Sequence, residues 1–452
     1  MEFNQYGIYN EQDMELEKKW KKVIDADGAP KIASEDLNMR YGMARLLENT
    51  FTEIKLERES GVGMFAESTP TTQTGGIAKW DPILISMVRR IGQTILSNRL
   101  VGNQPMTGPS GLIFAVRPRY ENQQGPEVLT GAPKTAFTGF NSAGNPGWDL
   151  ANEIPSDVAL DPFAKAQPAD PFGTGFTTGF GMDTATGEGD VNSELTVTID
   201  SARVDAKTRS SKASYSMETA QDMARQHGMN ADAFLTSILA DNIAAETYYE
   251  ILRSMYISAK LGCTDTSTPG VYDLNVDSSG GWIAEKARTL ALRIIYEASE
   301  IMATTRAGYG TFAVVDRKTY NLLQGAGLIS DYGPSNNMMT GADPIIRNNV
   351  PNSGLLFGQL EVYRDDYAQF GAREGFCMVG FKGANEADAA MYHCPYIPVW
   401  TVRAVDPKSG QPMIFFKKRY GVAANPLADT EGKIVPRSNP LLRIFKIQNI
   451  EI

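Results

Sequence analysis

Apolar residues recur every three or four positions through much of the chain, which is the spacing of amphipathic helices. Helices are predicted over 34–58, 82–101, 216–227, 230–260, 283–301 and 317–327. The longest of them repeats Ile238, Ala245, Leu252 and Ala259 at seven-residue intervals. At 1.5 Å per residue it would span about 45 Å, so we expect it to form the spine of a domain.

Other stretches alternate apolar and polar residues, which is the pattern of half-buried strands. Leu112, Phe114 and Val116 fall on one side of such a strand. The stretch 195–199 alternates in the same way, and we expect the two strands to pair. The chain would then leave a body on one strand and return to it on the other, about seventy residues later.

The second half of the chain predicts short strands and a terminal hairpin. Strands are expected over 311–316, 353–365, 374–383, 396–405 and 411–422, before an apolar end at 440–452. The turn "DPKSG" separates the two hairpin strands.

Two glycine-rich stretches invite comparison with nucleotide-binding loops, but neither has the residues that such loops require. Gly111 is followed by Leu112 rather than by the lysine of a phosphate-binding loop. Within 120–191, a dinucleotide motif would need glycine where Thr178 stands. We interpret the first stretch as a turn into a strand, and 120–191 as a long excursion loop.

The first 67 residues differ in character from the rest. Acidic residues at 11–17 precede four lysines, an order that stabilises a solvated helix. A second helix would present Met43, Leu46, Leu47 and Ile54 as its apolar stripe. These patterns predict a surface helical hairpin, so highly charged that we expect it to pack poorly alone.

The composition indicates a globular chain and disfavours binding to nucleic acid. Of its 452 residues, 42% are hydrophobic and 21% are charged, which suits a protein with a substantial core. The formal net charge is −10, whereas nucleic-acid binding needs a basic face.

The cysteines and the chain start indicate folding inside a cell. Cys263, Cys377 and Cys394 cannot all pair, and none are spaced as C-x-x-C, so we interpret them as reduced. The first residues lack the apolar core of a signal peptide. No apolar run reaches the about 18 residues that a membrane helix needs.

No arrangement of residues predicts catalysis, a metal site or a cofactor site. The two histidines are His227 and His393, and the second adjoins Cys394 without further ligands at zinc spacing. A dyad of histidine with cysteine or serine stays open, without a motif to support it. Asp365 and Asp366 would point to opposite sides of a strand. We therefore expect a non-enzyme that acts through its shape and contacts.

Two charged clusters have plain structural interpretations. The basic run 417–419 is too small for a nucleic-acid site, and we interpret it as the solvated end of a hairpin. Asp273, Asn275 and Asp277 alternate as in a calcium loop. Ser278 and Ala284 replace the glycine and glutamate of that loop, so a turn-rich linker is favoured over calcium binding.

Three long stretches resemble the major capsid protein of T-even-like tailed bacteriophages. They are "TPTTQTGGIAKWDPILISMVRRIGQTILSNRLVGNQPMTGPSGLIFAVRPRY", "EADAAMYHCPYIP" and "KKRYGVAANPL". The similarity covers about 68–452, and ordered matches of this length are far more specific than a glycine motif.

The resemblance implies an α+β protein of the Hong Kong 97-type capsid fold. Its parts would be an N-terminal assembly segment, an N-arm, an inserted subdomain on an extended loop, a spine helix with its return strand, an axial domain and the end of the peripheral domain. In that order, we predict them over 1–67, 68–119, 120–191, 192–275, 276–390 and 391–452.

In the family, a prohead protease removes the first segment by cutting after glutamate. Phe65-Ala66-Glu67 precedes Ser68 where the composition changes, so the Glu67–Ser68 bond is the predicted site. Phe65 departs from the usual leucine or isoleucine. Leu46-Leu47-Glu48 fits the pattern better but falls within a predicted helix, and the alternative that no cut occurs stays open.

The resemblance also implies function and partners. The chain would assemble in the host bacterial cytoplasm into hexameric capsomers of an icosahedral head shell and reside in the virion capsid. Vertex, scaffold, portal and decoration proteins and a prohead protease would be partners. The shell would enclose DNA without sequence-specific binding, and no membrane or cofactor is expected.

Two alternatives remain at this stage. One is an encapsulin-like compartment of the same fold, which would normally lack a cleaved arm and a large loop insertion. The other is a shell protein whose 120–191 subdomain binds glycan or calcium.

Overall fold

The protein structure is a computed structural model. It describes residues 11–25, 37–60, 100–128, 137–138, 184, 188, 193–228, 231–278, 281–330, 352–368, 370–406, 411–428 and 432–450. Nearly all of the predicted helix over 82–101, most of 120–191 and the Glu67–Ser68 bond lie outside the described residues.

The helices described over their full length confirm six predicted ones. They are α1 (Glu11–Ile24), α2 (Leu37–Ser60), α3 (Met217–His227), α4 (Ala231–Ser258), α5 (Ile283–Thr305) and α6 (Arg317–Gly325). The ends of α3 follow from its sequence. The Ser216 side chain accepts a hydrogen bond from the Thr219 N–H at 3.1 Å, and Gly228 ends the helix in a left-handed conformation.

The strands confirm the predicted pairings, with one correction. In order they are β1 (Gly102–Asn103), β2 (Ser110–Tyr120), β3 (Leu195–Asp205), β4 (Lys207–Ser214), β5 (Ala259–Leu261), β6 (Val271–Asp273), β7 (Phe312–Asp316), β8 (Ile329–Ser330), β9 (Asn352–Leu356), β10 (Leu360–Asp365), β11 (Gly375–Gly380), β12 (Met391–Val405), β13 (Pro412–Ala424) and β14 (Asn439–Gln448). The prediction of one strand over 353–365 is wrong. Gly358, at φ 72°, turns the chain so that β9 and β10 form an antiparallel hairpin.

An eight-stranded mixed sheet holds the largest core. Its order is β5-β14-β11-β7-β10-β9-β8, with β6 paired to β14. Every residue of β7 and β11 is buried, as expected for central strands covered on both faces. The helix predicted over 283–301 from its apolar spacing contributes Leu290, Ile294, Ala298 and Ile301 to this core, whereas the apolar residue at its start, Ile283, is 46% exposed.

A buried carboxylate joins three segments at the edge of this core. Glu297 on α5 accepts hydrogen bonds from the Cys263 N–H at 2.7 Å and from Arg293 at 2.7 Å. Arg443 on β14 donates to its other oxygen at 3.0 Å. A Cβ at Gly262 would lie 2.9 Å from the Glu297 Oε2, so glycine is required for this close approach. The network fixes α5 against β14 and the loop after β5.

A four-stranded sheet packs against the long helix α4. Its order is β1-β12-β13-β4, and Ile414, Phe416 and Val399 contact Ile243 of α4. The predicted buried heptad on α4 is partly wrong, because Ile238 is 47% exposed. The side chains that α4 buries include Ile243 in one apolar cluster and Ile251, Leu252 and Met255 in the largest core.

The chain divides into two compact units. The first contains 1–113, 201–302 and 307–452, and the second contains 114–200 and 303–306. The predicted six-part division stays a prediction, and the last strand, β14, belongs to the eight-stranded sheet. No helix in the described part of the chain combines the length and apolar character needed to cross a membrane.

The basic run 417–419 lies in the middle of β13, so its interpretation as a solvated hairpin end is wrong. Lys418 is 1% exposed, and its Nζ donates to the Thr247 Oγ1 of α4 at 3.1 Å. Burial lowers the pKa of Lys418 to about 7. Burial and the nearby lysine lower the pKa of His393 to about 3, and neither ring nitrogen of His393 has a hydrogen-bond partner among the described residues.

We expect Lys418→Met to raise the free energy of unfolding at pH 7 by about 1–4 kcal/mol, because methionine fills a similar volume without a buried amine. The folded pKa of about 7 lies below the ordinary 10.5, so the wild type gains stability as pH rises between these values. The advantage of methionine should therefore shrink at pH 9.5. Denaturant unfolding at both pH values measures this effect.

Lys212→Met is the matched control, because Lys212 is exposed on β4 of the same sheet. We expect it to change stability little at either pH. A loss of stability in Lys418→Met at pH 7, or an advantage that grows with pH, would contradict the assignment of a costly buried amine.

Candidate assembly surface

Strands β2 and β3 pair with each other to form a two-stranded ribbon. This pairing was predicted from the alternating residues. One face of the ribbon carries six large apolar side chains that are 58–68% exposed: Leu112, Phe114, Val116, Leu195, Val197 and Ile199. We call these six residues the ribbon face.

The opposite face of the ribbon is polar and better covered. Arg117 is 2% exposed and pairs with Asp200 through its Nε at 3.1 Å. The Arg119 Nε donates to the Thr198 Oγ1 at 3.2 Å, and the Thr198 hydroxyl donates to the Arg117 carbonyl at 3.3 Å. The apolar face of the ribbon is therefore the more exposed face, and the charged face is the better covered one.

The tip of the ribbon is held by its own local contacts. Val128 N–H donates to the Pro118 carbonyl at 2.9 Å, and Tyr120 N–H donates to the Pro126 carbonyl at 3.1 Å. The ring of Tyr120 contacts Phe137 edge-on at 4.6 Å between centroids. The tip is therefore ordered by polar and aromatic contacts that leave the ribbon face open.

At its other end, the ribbon joins the four-stranded sheet through residues 104–109, which we call the ribbon root. Gln104 N–H donates to the His393 carbonyl at 2.9 Å, and Met106 N–H donates to the Pro395 carbonyl at 3.0 Å. Met106 is buried in a small cluster with Val204, Ala389, Tyr392, Cys394 and Ala423. The root is thus anchored on β12.

The N-terminal hairpin has a core of its own, contrary to the expectation that it packs poorly alone. Trp20, Ile24, Met43, Ala44 and Leu47 form an apolar cluster between α1 and α2. The sequence suggested that the charged side chains of this segment were solvated. Several of them instead form ion pairs that join the two helices.

Arg40 on α2 is 5% exposed and pairs with Glu17 at 3.1 Å and Asp25 at 3.0 Å. Glu48 accepts from the Trp20 Nε1 at 2.7 Å and from the Lys19 Nζ at 2.7 Å. These pairs join one helix to the other, which explains why a charged segment can form a compact hairpin.

A second exposed apolar area lies on the outer side of α5. Leu292, Tyr296 and Met302 are 41–57% exposed, and Trp282 just before the helix is 78% exposed. Leu292 and Tyr296 are four residues apart and therefore share one side of the helix. This area is a second candidate contact surface.

The structure does not bring a metal or catalytic site together in the part of the chain that it describes. No group of three or more potential metal ligands is found among the described residues. The Asp277 carboxylate accepts from the Ser267 and Asp273 N–H groups at 3.3 and 2.9 Å, and the Asp273 Oδ1 accepts from Asn275 N–H at 2.8 Å. The stretch is the turn that the sequence favoured over a calcium loop.

The competing cleavage motif Leu46-Leu47-Glu48 lies within α2, as predicted. Leu47 is fully buried, and Glu48 is engaged by Trp20 and Lys19. A protease needs an extended, accessible strand of substrate, so this motif is protected while the hairpin is folded.

The sequence predicted the alternation but not that the apolar side would be the open one. The signal that could have shown this is the character of the other side, where Arg117, Arg119 and Asp200 alternate with the ribbon face. Charged residues on the covered face need partners, here on the other strand of the ribbon, and the pattern of one strand does not reveal them.

We expect Asp200→Ala to lower the stability of the ribbon by about 1–2 kcal/mol, because it removes the carboxylate paired with the buried Arg117. The effect stays below that of a fully buried pair because Asp200 is 42% exposed. Hydrogen exchange of the β2 and β3 amides measures the loss.

Asp205→Ala on the same strand is the control, because its partner Arg203 is 72% exposed and such pairs contribute little. Equal exchange rates in the two variants would show that the Arg117 pair does not hold the ribbon.

Comparison with known proteins identifies the family. The sequence model of the family described as "Major capsid protein Gp23" matches residues 77–447. The major capsid protein of Escherichia phage AR1 is 30% identical over 93% of this chain and 93% of that protein. The major capsid protein of Enterobacteria phage T4 is 28% identical over 93% of each.

Solved capsid structures are also similar, with TM-scores below 0.5. The capsid protein of Myoviridae phage XM1 is 10% identical, with a TM-score of 0.38 over 78% of this chain and 91% of that one. A capsid of an empty GTA particle is 10% identical, with a TM-score of 0.39 over 86% and 98%. These scores carry no weight beside the sequence match. The chain belongs to the Gp23 major capsid protein family, as the T-even-like resemblance predicted, and is a structural protein of the phage head shell in the virion capsid.

Proposed function

We propose that the ribbon face is a principal contact through which copies of this chain assemble into the shell. The observation that carries the proposal is the six-residue apolar face, exposed by 58–68% on an ordered ribbon. An apolar patch of this kind on a soluble protein marks a surface that another molecule covers. In a shell made of many copies, the molecule always at hand is a second copy.

The energetics suit reversible assembly. Six such side chains present on the order of 600 Å² of apolar surface. At 25 cal/mol per Å², covering it contributes about 15 kcal/mol before association costs of about 4–15 kcal/mol. The net contribution of one ribbon contact then lies between about 0 and 11 kcal/mol, and towards the lower end of this range misplaced copies can dissociate while many contacts together stabilise the shell.

The proposed contact is heterologous, which means that the ribbon face of one copy packs against a different surface of the next copy. Packing of two ribbon faces against each other would require a two-fold axis between the copies. Contacts between unlike surfaces close rings when the rotation fits, and hexameric capsomers are the ring that we propose. The exposed apolar side of α5 is a second contact surface available within such a ring.

The remaining partners are proposed from the family. Vertex, scaffold, portal and decoration proteins would meet the assembled shell, and packaged DNA would be enclosed without sequence-specific contacts. A net charge of −10 supports the last point, because an acidic shell protein has little affinity for phosphates. The family match disfavours an encapsulin-like compartment.

Processing by a prohead protease at Glu67–Ser68 is part of the proposal. It is supported by the protection of the competing motif, whose Leu47 is buried within α2. Removal of the first segment would then release the whole hairpin of α1 and α2.

We expect Val116→Ser combined with Val197→Ser to reduce shell assembly at least tenfold, because both changes place hydroxyls on the ribbon face. Electron microscopy and sedimentation of the chain expressed with its scaffold measure the yield of shells. Val405→Ser is the matched control, because Val405 is also 64% exposed but lies at the end of β12. Normal assembly of the double variant would remove the ribbon face from the contact.

Coexpression with the prohead protease should shift the N-terminus to Ser68, because the predicted bond follows a glutamate in the expected pattern. Intact-mass spectrometry of purified particles measures the shift. Glu67→Ala should abolish it and Glu48→Ala should leave it unchanged. The reverse pattern, or a new terminus elsewhere, would contradict the site.

A further inference from the structure

The N-terminal hairpin contacts the ribbon root through a second side of α2. Gly42, Leu46 and Asn49 are four and three residues apart, so they share one side of the helix. Met43 and Leu47, on the neighbouring side, form the core with α1. Helix α2 therefore has two contact sides, and only one of them is used to build the hairpin.

Asn49 joins two separate segments of the body. Its Nδ2 donates to the Met106 carbonyl at 2.9 Å and to the Tyr396 carbonyl at 3.0 Å. Met106 belongs to the ribbon root, and Tyr396 belongs to β12, on which the root is anchored. One amide group thus uses both of its protons to hold the two segments side by side.

These bonds reinforce the anchor of the root itself. Met106 donates its N–H to the Pro395 carbonyl at 3.0 Å, and Asn49 bonds the carbonyl of the same Met106 and of the residue after Pro395. Without Asn49, the described backbone bonds between the root and β12 are those of Gln104 and Met106. The hairpin therefore adds two hydrogen bonds at the point where the chain departs into the ribbon.

Gly42 allows the close approach of α2. A Cβ at this position would lie 3.7 Å from the Asn103 Nδ2, which is ordinary contact. An alanine therefore fits, whereas a longer side chain would occupy the space of the Asn103 amide.

We propose that the N-terminal hairpin is a removable clamp on the ribbon root. While docked, it holds 104–109 against β12 through Asn49, and its departure frees the root. The clamp deepens the proposed function, because it rests on the ribbon being the contact between copies. Release of the first segment would then loosen the ribbon root, residues 104–109.

The test is hydrogen exchange of the full-length protein before it assembles into shells. Asn49→Asp keeps the size of the side chain but offers only acceptors to two carbonyls. We expect it to speed exchange of the Gln104 and Met106 amides about tenfold or more, the effect of losing two hydrogen bonds. Gly42→Leu should give the same change by a different route, since it displaces α2 and leaves Asn49 intact.

Two controls isolate the clamp. Asn242→Asp changes an exposed asparagine of α4 whose amide donates to Glu246 of the same helix, and it should leave the root amides unchanged. Gly42→Ala fits the space and should also leave them unchanged. Unaltered root exchange in Asn49→Asp and Gly42→Leu would overturn the clamp, and so would an equal rise throughout β7 and β11.

The experiments can reject the clamp proposal and the ribbon-contact proposal independently. Faster root exchange in Asn49→Asp, together with normal assembly of the ribbon-face double variant, would keep the clamp and reject the ribbon as the contact. Unchanged exchange of the root amides in Asn49→Asp, together with failed assembly of the ribbon-face double variant, would reject the clamp and keep the ribbon as the contact.

Discussion

A two-stranded ribbon cannot bury both of its faces with its own two strands, and this constraint governs the part of the protein that acts in the shell. In this chain the inner side is the polar one, where Arg117 pairs with Asp200 and Arg119 bonds Thr198. The six apolar side chains consequently face outward. We propose that a neighbouring copy covers this face.

The rest of the described structure positions that ribbon. The eight-stranded sheet and α5 form a rigid core, fixed at its edge by the buried Glu297 and its two arginines. The four-stranded sheet carries the root through β12 and rests on α4. The N-terminal hairpin then closes over the root with Asn49.

Much of the fold could be predicted because it follows local rules. The helices predicted over 216–227 and 283–301 depend on neighbours a few residues away, and both are confirmed. The failures involve distant partners. Lys418 looks solvated in sequence but is covered by α4, and Ile238 fits a heptad but is exposed, because which part of a helix is covered depends on the elements packed against it. Asn49 could not be recognised at all, because its two acceptors are backbone carbonyls that lie 57 and 347 residues away. Glu67 and Ser68, predicted from the family pattern, stay a prediction.

An electron cryomicroscopy map of the assembled shell tests the role of the ribbon most directly. Phe114, Ile199 and the other members of the ribbon face, now 58–68% exposed, should be buried against a neighbouring copy. If these side chains remain in solvent in the shell, or fold back onto their own chain, the ribbon is not the contact that holds the copies together.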